Sequence, residues 1–282
     1  RVVGAGTTGA SLYVQLWEAN GDTASAFGDE GFVSVDFHEQ LSTAGSDVAS
    51  SELIPLTFGL VQAHPDGGLL VGGQYGDFDQ PWVVAKLLAD GSPDPAFGRE
   101  GRAVATNMLW AWSFSQLGSG LKQILVMEDR ALILLGQHRN GPDHVWDRVL
   151  RFGPDGVRDE DYGRTWVKLD WSGQTEVEQS VSVILDAGQG RVLAAGTKDN
   201  NVRLVRLDAD AGIDATFGDG GEALLLIEGM WTTVGSARFE GEWVVVQGTL
   251  TPASGGGEPV VFVTRFSVDG VLDTSYGDGG VE

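Results

Sequence analysis

The stretch Ala89-Asp90-Gly91-Ser92-Pro93-Asp94-Pro95-Ala96-Phe97-Gly98 decides how this chain folds. Its Asp-Gly pair suits a tight turn with a positive φ at Gly, and its second Asp can accept hydrogen bonds from backbone N–H groups nearby. The loop then spends a large apolar side chain, Phe97, and follows it with a Gly that lets the chain turn into another strand. The same spacing returns as Asp155-Gly156, Asp159, Tyr162-Gly163 and as Asp269-Gly270, Asp273, Tyr276-Gly277. Two copies are degraded: Asn20-Gly21 to Phe27-Gly28 has Ala24 for the second Asp, and Asp210-Ala211, Asp214, Phe217-Gly218 has lost the first Gly. From Gly28 through Gly98, Gly163 and Gly218 to Gly277 the steps are 70, 65, 55 and 59 residues, a period that belongs to repeat architectures.

The flanks repeat as well. Before each copy lies a run such as Trp82 to Leu87, Val202 to Leu207 or Val261 to Phe266, several alternating apolar with polar as half-buried strands do. Earlier comes an apolar run ending in small residues (Leu69 to Gly73, Leu132 to Gly136, Val192 to Gly196, Val244 to Gly248), opened by turns such as His64-Pro65-Asp66-Gly67-Gly68. A further run precedes that turn (Phe58 to Ala63, Ile124 to Met127, Val181 to Leu185), and another follows the aromatic-Gly pair (Gly31 to Phe37, Gly101 to Ala105, Thr165 to Leu169, Glu222 to Ile227). Four short strands per repeat, with no helical periodicity, predict an all-β β-propeller of about five four-stranded blades in one domain over residues 1–282. The aromatic residue is expected to plug the seam between neighbouring blades. The chain is expected to open at a blade's third strand and to stop just into a first strand: two strands, four full sets and a fragment. A ring closed by pairing of the chain ends, a three-stranded closing blade and membership of a larger ring all fit that count.

These repeats resemble the delta-60 repeat family of bacterial β-propellers. The resemblance rests on Val268 to Gly277, Ala89 to Gly98 and the His64-Pro65-Asp66-Gly67 turn, and it extends over essentially the whole chain. The connection from Thr106 to Leu121 departs most from the family pattern. The family implies the propeller fold and an exported bacterial protein; it implies no activity and carries no functional residue over.

Composition narrows the functions. The 282 residues hold 18 Lys+Arg against 40 Asp+Glu, a net charge of −22, which argues against nucleic acid and anionic membrane surfaces as partners. With 42 Gly, about twice the usual share, and 42% apolar residues, the chain reads as folded and rich in turns rather than disordered. The absence of Cys excludes disulfides, thiolate metal sites and Cys nucleophiles. No apolar run is long enough to span a bilayer. The start at Arg1 without Met, and the end at Glu282 in a strand-like stretch, suit a longer or processed parent, and the composition suits a secreted bacterial protein.

Candidate chemistry is thin. Gly4-Ala5-Gly6-Thr7-Thr8-Gly9 fits a dinucleotide fingerprint, but a strand-like Ser11 to Trp17 follows where a helix is required. Asp208, Asp210 and Asp214 offer calcium-loop oxygens in one copy only. His138 and His144 flank a turn without metal-ligand spacing, His64 belongs to a repeat turn, and no nucleophile elbow occurs. Acids outside the repeat include Asp77, Asp79, Asp143, Asp147, Glu176, Glu178, Glu228 and Glu258, which a glycosidase would need to converge in pairs. The aromatic residues Trp110, Trp112 and Phe114 alternate, and Trp231 follows its own aromatic-Gly pair at the same distance as Trp110 to within one residue. These four are the candidate contacts for a protein partner or glycan; blade-to-blade packing is the structural alternative. The expectation is therefore an exported, non-enzymatic propeller that binds or scaffolds, without cofactor or metal, in an extracellular or cell-surface assembly. A carbohydrate-active hydrolase or lyase with acids in a central funnel is the rival.

Overall fold

The computed structural model describes residues 1–8, 11–43, 56–75, 81–105, 120–139, 145–162 and 180–282. Five antiparallel sheets follow one another in chain order. The first holds β1 (Val2–Thr8), β2 (Ser11–Trp17) and β3 (Phe32–Asp36). A six-residue helix, α1 (His38–Thr43), follows, its first N–H donating to Asp36 Oδ1. The second sheet holds β4 (Leu56–Ala63), β5 (Leu69–Tyr75), β6 (Trp82–Leu87) and β7 (Arg102–Ala105). The third holds β8 (Gly120–Val126), β9 (Leu132–Arg139) and β10 (Val145–Phe152). The fourth holds β11 (Ser180–Asp186), β12 (Val192–Lys198), β13 (Asn201–Leu207) and β14 (Glu222–Leu226). The fifth holds β15 (Met230–Glu240), β16 (Trp243–Pro252) and β17 (Val260–Ser267).

The chain divides into two compact units, Arg1–Pro142 with Leu150–Asp159, and Asp143–Val149 with Glu160–Glu282. In the first unit, Leu12, Val14 and Val35 of the first sheet bury against Val71, Val83 and Ala85 of the second. The opposite face of that second sheet, with Leu70, Trp82 and Val84, packs on Leu121, Ile124 and Leu134 of the third. In the second unit, Leu193, Val202 and Leu204 of the fourth sheet meet Val234, Val246 and Phe262 of the fifth. Strand burial follows from this layering. β6 is buried at every position because both its faces are covered, and it reads as an apolar run broken only by Lys86. β2 alternates, with Leu12, Val14 and Leu16 inside, because only one face is covered.

The small residues that end each second-strand run have a packing reason. A Cβ on Gly136 would lie 2.0 Å from the Trp82 ring, so the indole can cross β9 only where no side chain stands.

Two expectations need correction. The chain opens at a blade's second strand, not its third: β1 pairs with β2 from Val2↔Trp17 to Thr8↔Ser11, giving the first sheet three strands. Its Gly and Ala hide strand character. At the other end, Val281 bridges Thr264, and Val263 and Glu282 exchange backbone hydrogen bonds of 2.8 and 2.9 Å, so the last residues begin the fifth sheet's fourth strand rather than a first strand of another. The expected strand Thr165 to Leu169 lies outside the described residues.

Candidate functional site

The repeated loop builds a seam between consecutive sheets. The Gly28 N–H donates to the Asp90 carbonyl at 2.6 Å, Gly98 to Asp155 at 2.6 Å, and Gly218 to Asp269 at 2.7 Å. The aromatic-Gly pair of one repeat thus docks on the Asp-Gly turn of the next. Those turn glycines hold positive φ, +86° at Gly91, +73° at Gly156 and +86° at Gly270. A Cβ on them would stand 2.7–2.8 Å from the donor nitrogen and 2.9–3.2 Å from the Phe27, Phe97 or Phe217 ring. The three phenylalanines are at most 2% exposed, the plug expected of them. Tyr276, in the last copy, is only half-buried.

The second Asp does more than cap its turn. Oδ1 of Asp94, Asp214 and Asp273 accepts the N–H two residues on, at 2.9, 3.1 and 3.0 Å. The other oxygen pairs with a cation on the third strand: Lys86 with Asp94 at 2.9 Å, Arg206 with Asp214 at 2.7 Å, and Arg265 with Asp273 at 2.6 Å. Each cation stands eight residues ahead of its Asp, and Arg151 keeps that spacing to Asp159, whose N–H donates to the Arg151 carbonyl. In the first repeat both positions are apolar, Leu16 and Ala24, with the same backbone bond between them at 2.9 Å. Sequence reasoning missed this pairing, although the joint loss of charge at 16 and 24 was its signal. Lys86 also reaches Asp66 of the His64 turn at 2.8 Å, so one cation ties two turns, and Arg151 reaches Asp129 at 2.5 Å. Hydrogen bonds from Thr216, Lys86 and Ser275 hold Asp214, Asp94 and Asp273 below the usual carboxylate range. Asp66 is shifted down too, because the hydrogen bonds from Lys86, Gly68 and His64 outweigh its burial. Asp90 is lowered by Ser92.

Other candidate residues divide between structural roles and undescribed positions. Trp110, Trp112 and Phe114 lie outside the described residues, as do Asp77, Asp79, Asp143, Glu176, Glu178 and His144. Asp147 is buried and accepts the Val181 N–H at 2.7 Å, a role inside the sheets. Glu228 and Glu258 are exposed. Asp208 accepts the N–H groups of Asp210 and Gly212, and Asp214 is committed to Arg206; among the described residues no three His, Asp or Glu side chains converge as a metal site requires. Gly4 and Gly6 sit inside β1 and a strand follows them, so the dinucleotide reading fails on geometry.

Two surface features of the second unit stand out among the described residues. Trp231 stands near the start of β15, opposite Thr251, and is 42% exposed. It shares a sheet face with Thr233, Thr249 and Val261. Further along that face Arg265 lies over the Trp243 ring at 4.5 Å and over Tyr276 at 4.7 Å, and Glu282 pushes the Tyr276 phenol pKa up. At the other end of β15, a cleft of about 320 Å³ is lined by Asp186, Arg191, Leu193, Arg206, Phe239 and Asp269. Arg206 is held in its wall by the Val268 carbonyl at 3.0 Å and by Asp214.

Residues 64–97 match the family described as "Domain of unknown function (DUF5122) beta-propeller". The match begins in the His64 turn and ends on the plug Phe97, taking in β5 and β6. One repeat of this chain is thus similar to a β-propeller repeat family. No curated protein matches the chain. Among solved structures, it is similar to a candidate glycosidase from Bacteroides thetaiotaomicron VPI-5482 (12% identity, 77% of this chain, 71% of that one, TM-score 0.43). It is also similar to a GH43 glycoside hydrolase engineered to show endo-xylanase and exo-arabinofuranosidase activity (13%, 97% and 52%, TM-score 0.39). A third similarity is to the polysaccharide lyase Uly1 (10%, 94% and 77%, TM-score 0.34). At these scores nothing about this chain's chemistry follows from them.

Proposed function

We propose that this chain is an exported bacterial β-propeller of the delta-60 type that acts without catalysis, as a binding and scaffolding module in an extracellular assembly. The observation that carries the reading is the uncovered face of the fifth sheet. Val261 there stands four residues ahead of Arg265, as buried Trp82 stands four ahead of Lys86, yet Val261 is 63% exposed and Trp82 is 1%. A face with core composition left in solvent marks an interaction surface. Trp231 supplies the large amphipathic contact on it.

Five of the described carboxylates support a non-catalytic role. Asp66, Asp90, Asp94, Asp214 and Asp273 are each made more acidic, whereas a glycosidase's general acid must be made less so. The test is incubation with a panel of neutral and acidic polysaccharides, with reducing ends and unsaturated products measured. No product is expected; turnover above background would establish the hydrolase or lyase reading instead.

A further inference from the structure

We propose that the cleft between the fourth and fifth sheets binds one neutral pyranose residue, held by its hydroxyls between Arg191 and Asp269 and with its C–H face on Phe239. The site goes beyond the reading above. Phe239 follows Trp231 by eight residues of β15, about 26 Å of strand, so the cleft stands without the uncovered face.

The repeats commit most of their charges to turns and ion pairs, and at this cleft three side chains are released from such duties. Asp269 is the first. Its counterparts Asp90 and Asp155 cap their own turns, accepting the Ser92 N–H at 2.9 Å and the Val157 N–H at 3.1 Å. In the last repeat the matching Val271 N–H donates to Ser267 Oγ at 3.2 Å instead. The Asp269 carboxylate thus accepts no hydrogen bond among the described residues.

Arg191 is the second. It stands directly before β12, where Gly68 stands before β5 and Ala131 before β9. Its Nε donates to the Gly188 carbonyl at 3.2 Å. The nearest carboxylate among the described residues is Asp214 at 3.9 Å, and Arg206 already holds that group at 2.7 Å. The Nη groups are left to donate elsewhere. Phe239 is the third. It lies opposite Val244, a place that Ala63 takes opposite Leu69 and Val126 takes opposite Leu132, and it is 37% exposed.

Complementarity names the ligand. Arg191 can only donate and ionised Asp269 can only accept, whereas a sugar hydroxyl does both. Phe239, with Leu193 and Val268 in the same lining, offers an apolar wall to the C–H face of a ring. An anionic sugar would meet Asp186 and Asp269, and a cationic one Arg191, so a neutral ring fits best. The volume of about 320 Å³ stands at the lower end for ligand pockets, room for one ring rather than an extended chain.

Titration calorimetry of the whole chain tests this with the methyl glycosides of glucose, galactose, mannose, xylose and arabinose, and with glucuronate and glucosamine as charged probes. At least one neutral glycoside should bind with a Kd on the order of 1 mM, as expected for a single ring. Arg191→Ala, Asp269→Asn and Phe239→Ala should each weaken it by about tenfold or more. Leu224→Ala, on β14, should leave it unchanged. Circular dichroism reports whether each variant folds, and Asp269→Asn, which keeps the side chain's shape, suffices if the others do not. Failure of all five neutral glycosides to bind overturns the proposal, as does tighter binding of either charged probe, or binding indifferent to the three variants. Binding lost in Trp231→Ala and kept in Phe239→Ala would also overturn it, while leaving the fifth sheet's face as the binding surface.

Discussion

A carboxylate that caps its own turn with one oxygen and grips a strand cation with the other fixes two pieces of backbone at once. Arg206 shows what is at stake: its side chain is 8% exposed and held by Asp214, Thr216 and the Val268 carbonyl. Asp214→Ala leaves that guanidinium partly uncompensated and should cost about 2 kcal/mol in urea unfolding, allowing for the solvent that reaches the pair. The double change Arg206→Leu with Asp214→Ala recreates the first repeat's Leu16 and Ala24 and should recover much of that loss. Additive losses would show the pair to be uncoupled. Acid acts on the same groups. A carboxylate whose folded pKa lies below its unfolded value stabilises the fold above the unfolded value and loses that contribution as pH falls through the folded one. Asp94, Asp214 and Asp273 are of this kind, so stability should fall below about pH 4, the range of an unfolded aspartate. A pH series of urea melts, with Asp214→Asn showing a shallower acid limb than the parent, checks this; an identical limb would contradict it. The spacing of eight was legible in the sequence. That the pair ties a strand to its turn was not, because alternation along β13 assigns Arg206 to a face without naming its partner.

At the scale of the element, the seam is where glycine becomes obligatory. Gly91 and Gly21 occupy the same turn position with φ of +86° and +90°. Alanine at either suffers the left-handed backbone, about 1 kcal/mol. At Gly91 its Cβ would also come within 2.8 Å of the Gly28 nitrogen and of Val33, and at Gly21 it would meet nothing. Gly91→Ala should therefore cost at least about 2 kcal/mol more than Gly21→Ala. Equal losses would mean that only the turn matters and that the seam contributes nothing. The turn, the plug and the strand set were readable from the sequence because each depends on local chemistry repeated at fixed spacing. β1 was harder to place. Val2-Val3-Gly4-Ala5-Gly6 has the small residues of a second strand, and its role became plain only through its pairing with Leu12 to Trp17.

For the whole molecule, the five echoes become five consecutive sheets, and burial records which of their faces have neighbours. β6 is covered on both sides, whereas β2 and β17 keep one buried face each. The sequence carried a hint of this, since Trp82 to Leu87 is apolar apart from Lys86, while Ser11 to Trp17 alternates. Function was far less legible. A repeat that recurs for structural reasons absorbs its own aspartates into turns and ion pairs. Trp231 stood out only by its distance from Gly218, and the sheet register was needed to show that it shares an uncovered face with Val261.

The account stands on the seam, and residue-resolved amide hydrogen exchange reads it directly. The N–H groups of Gly28, Gly98 and Gly218, each bonded to the next repeat, should exchange slowly. If all three exchange at the fast rate of an open loop, the repeats do not mate through their aromatic-Gly pairs and the account is wrong.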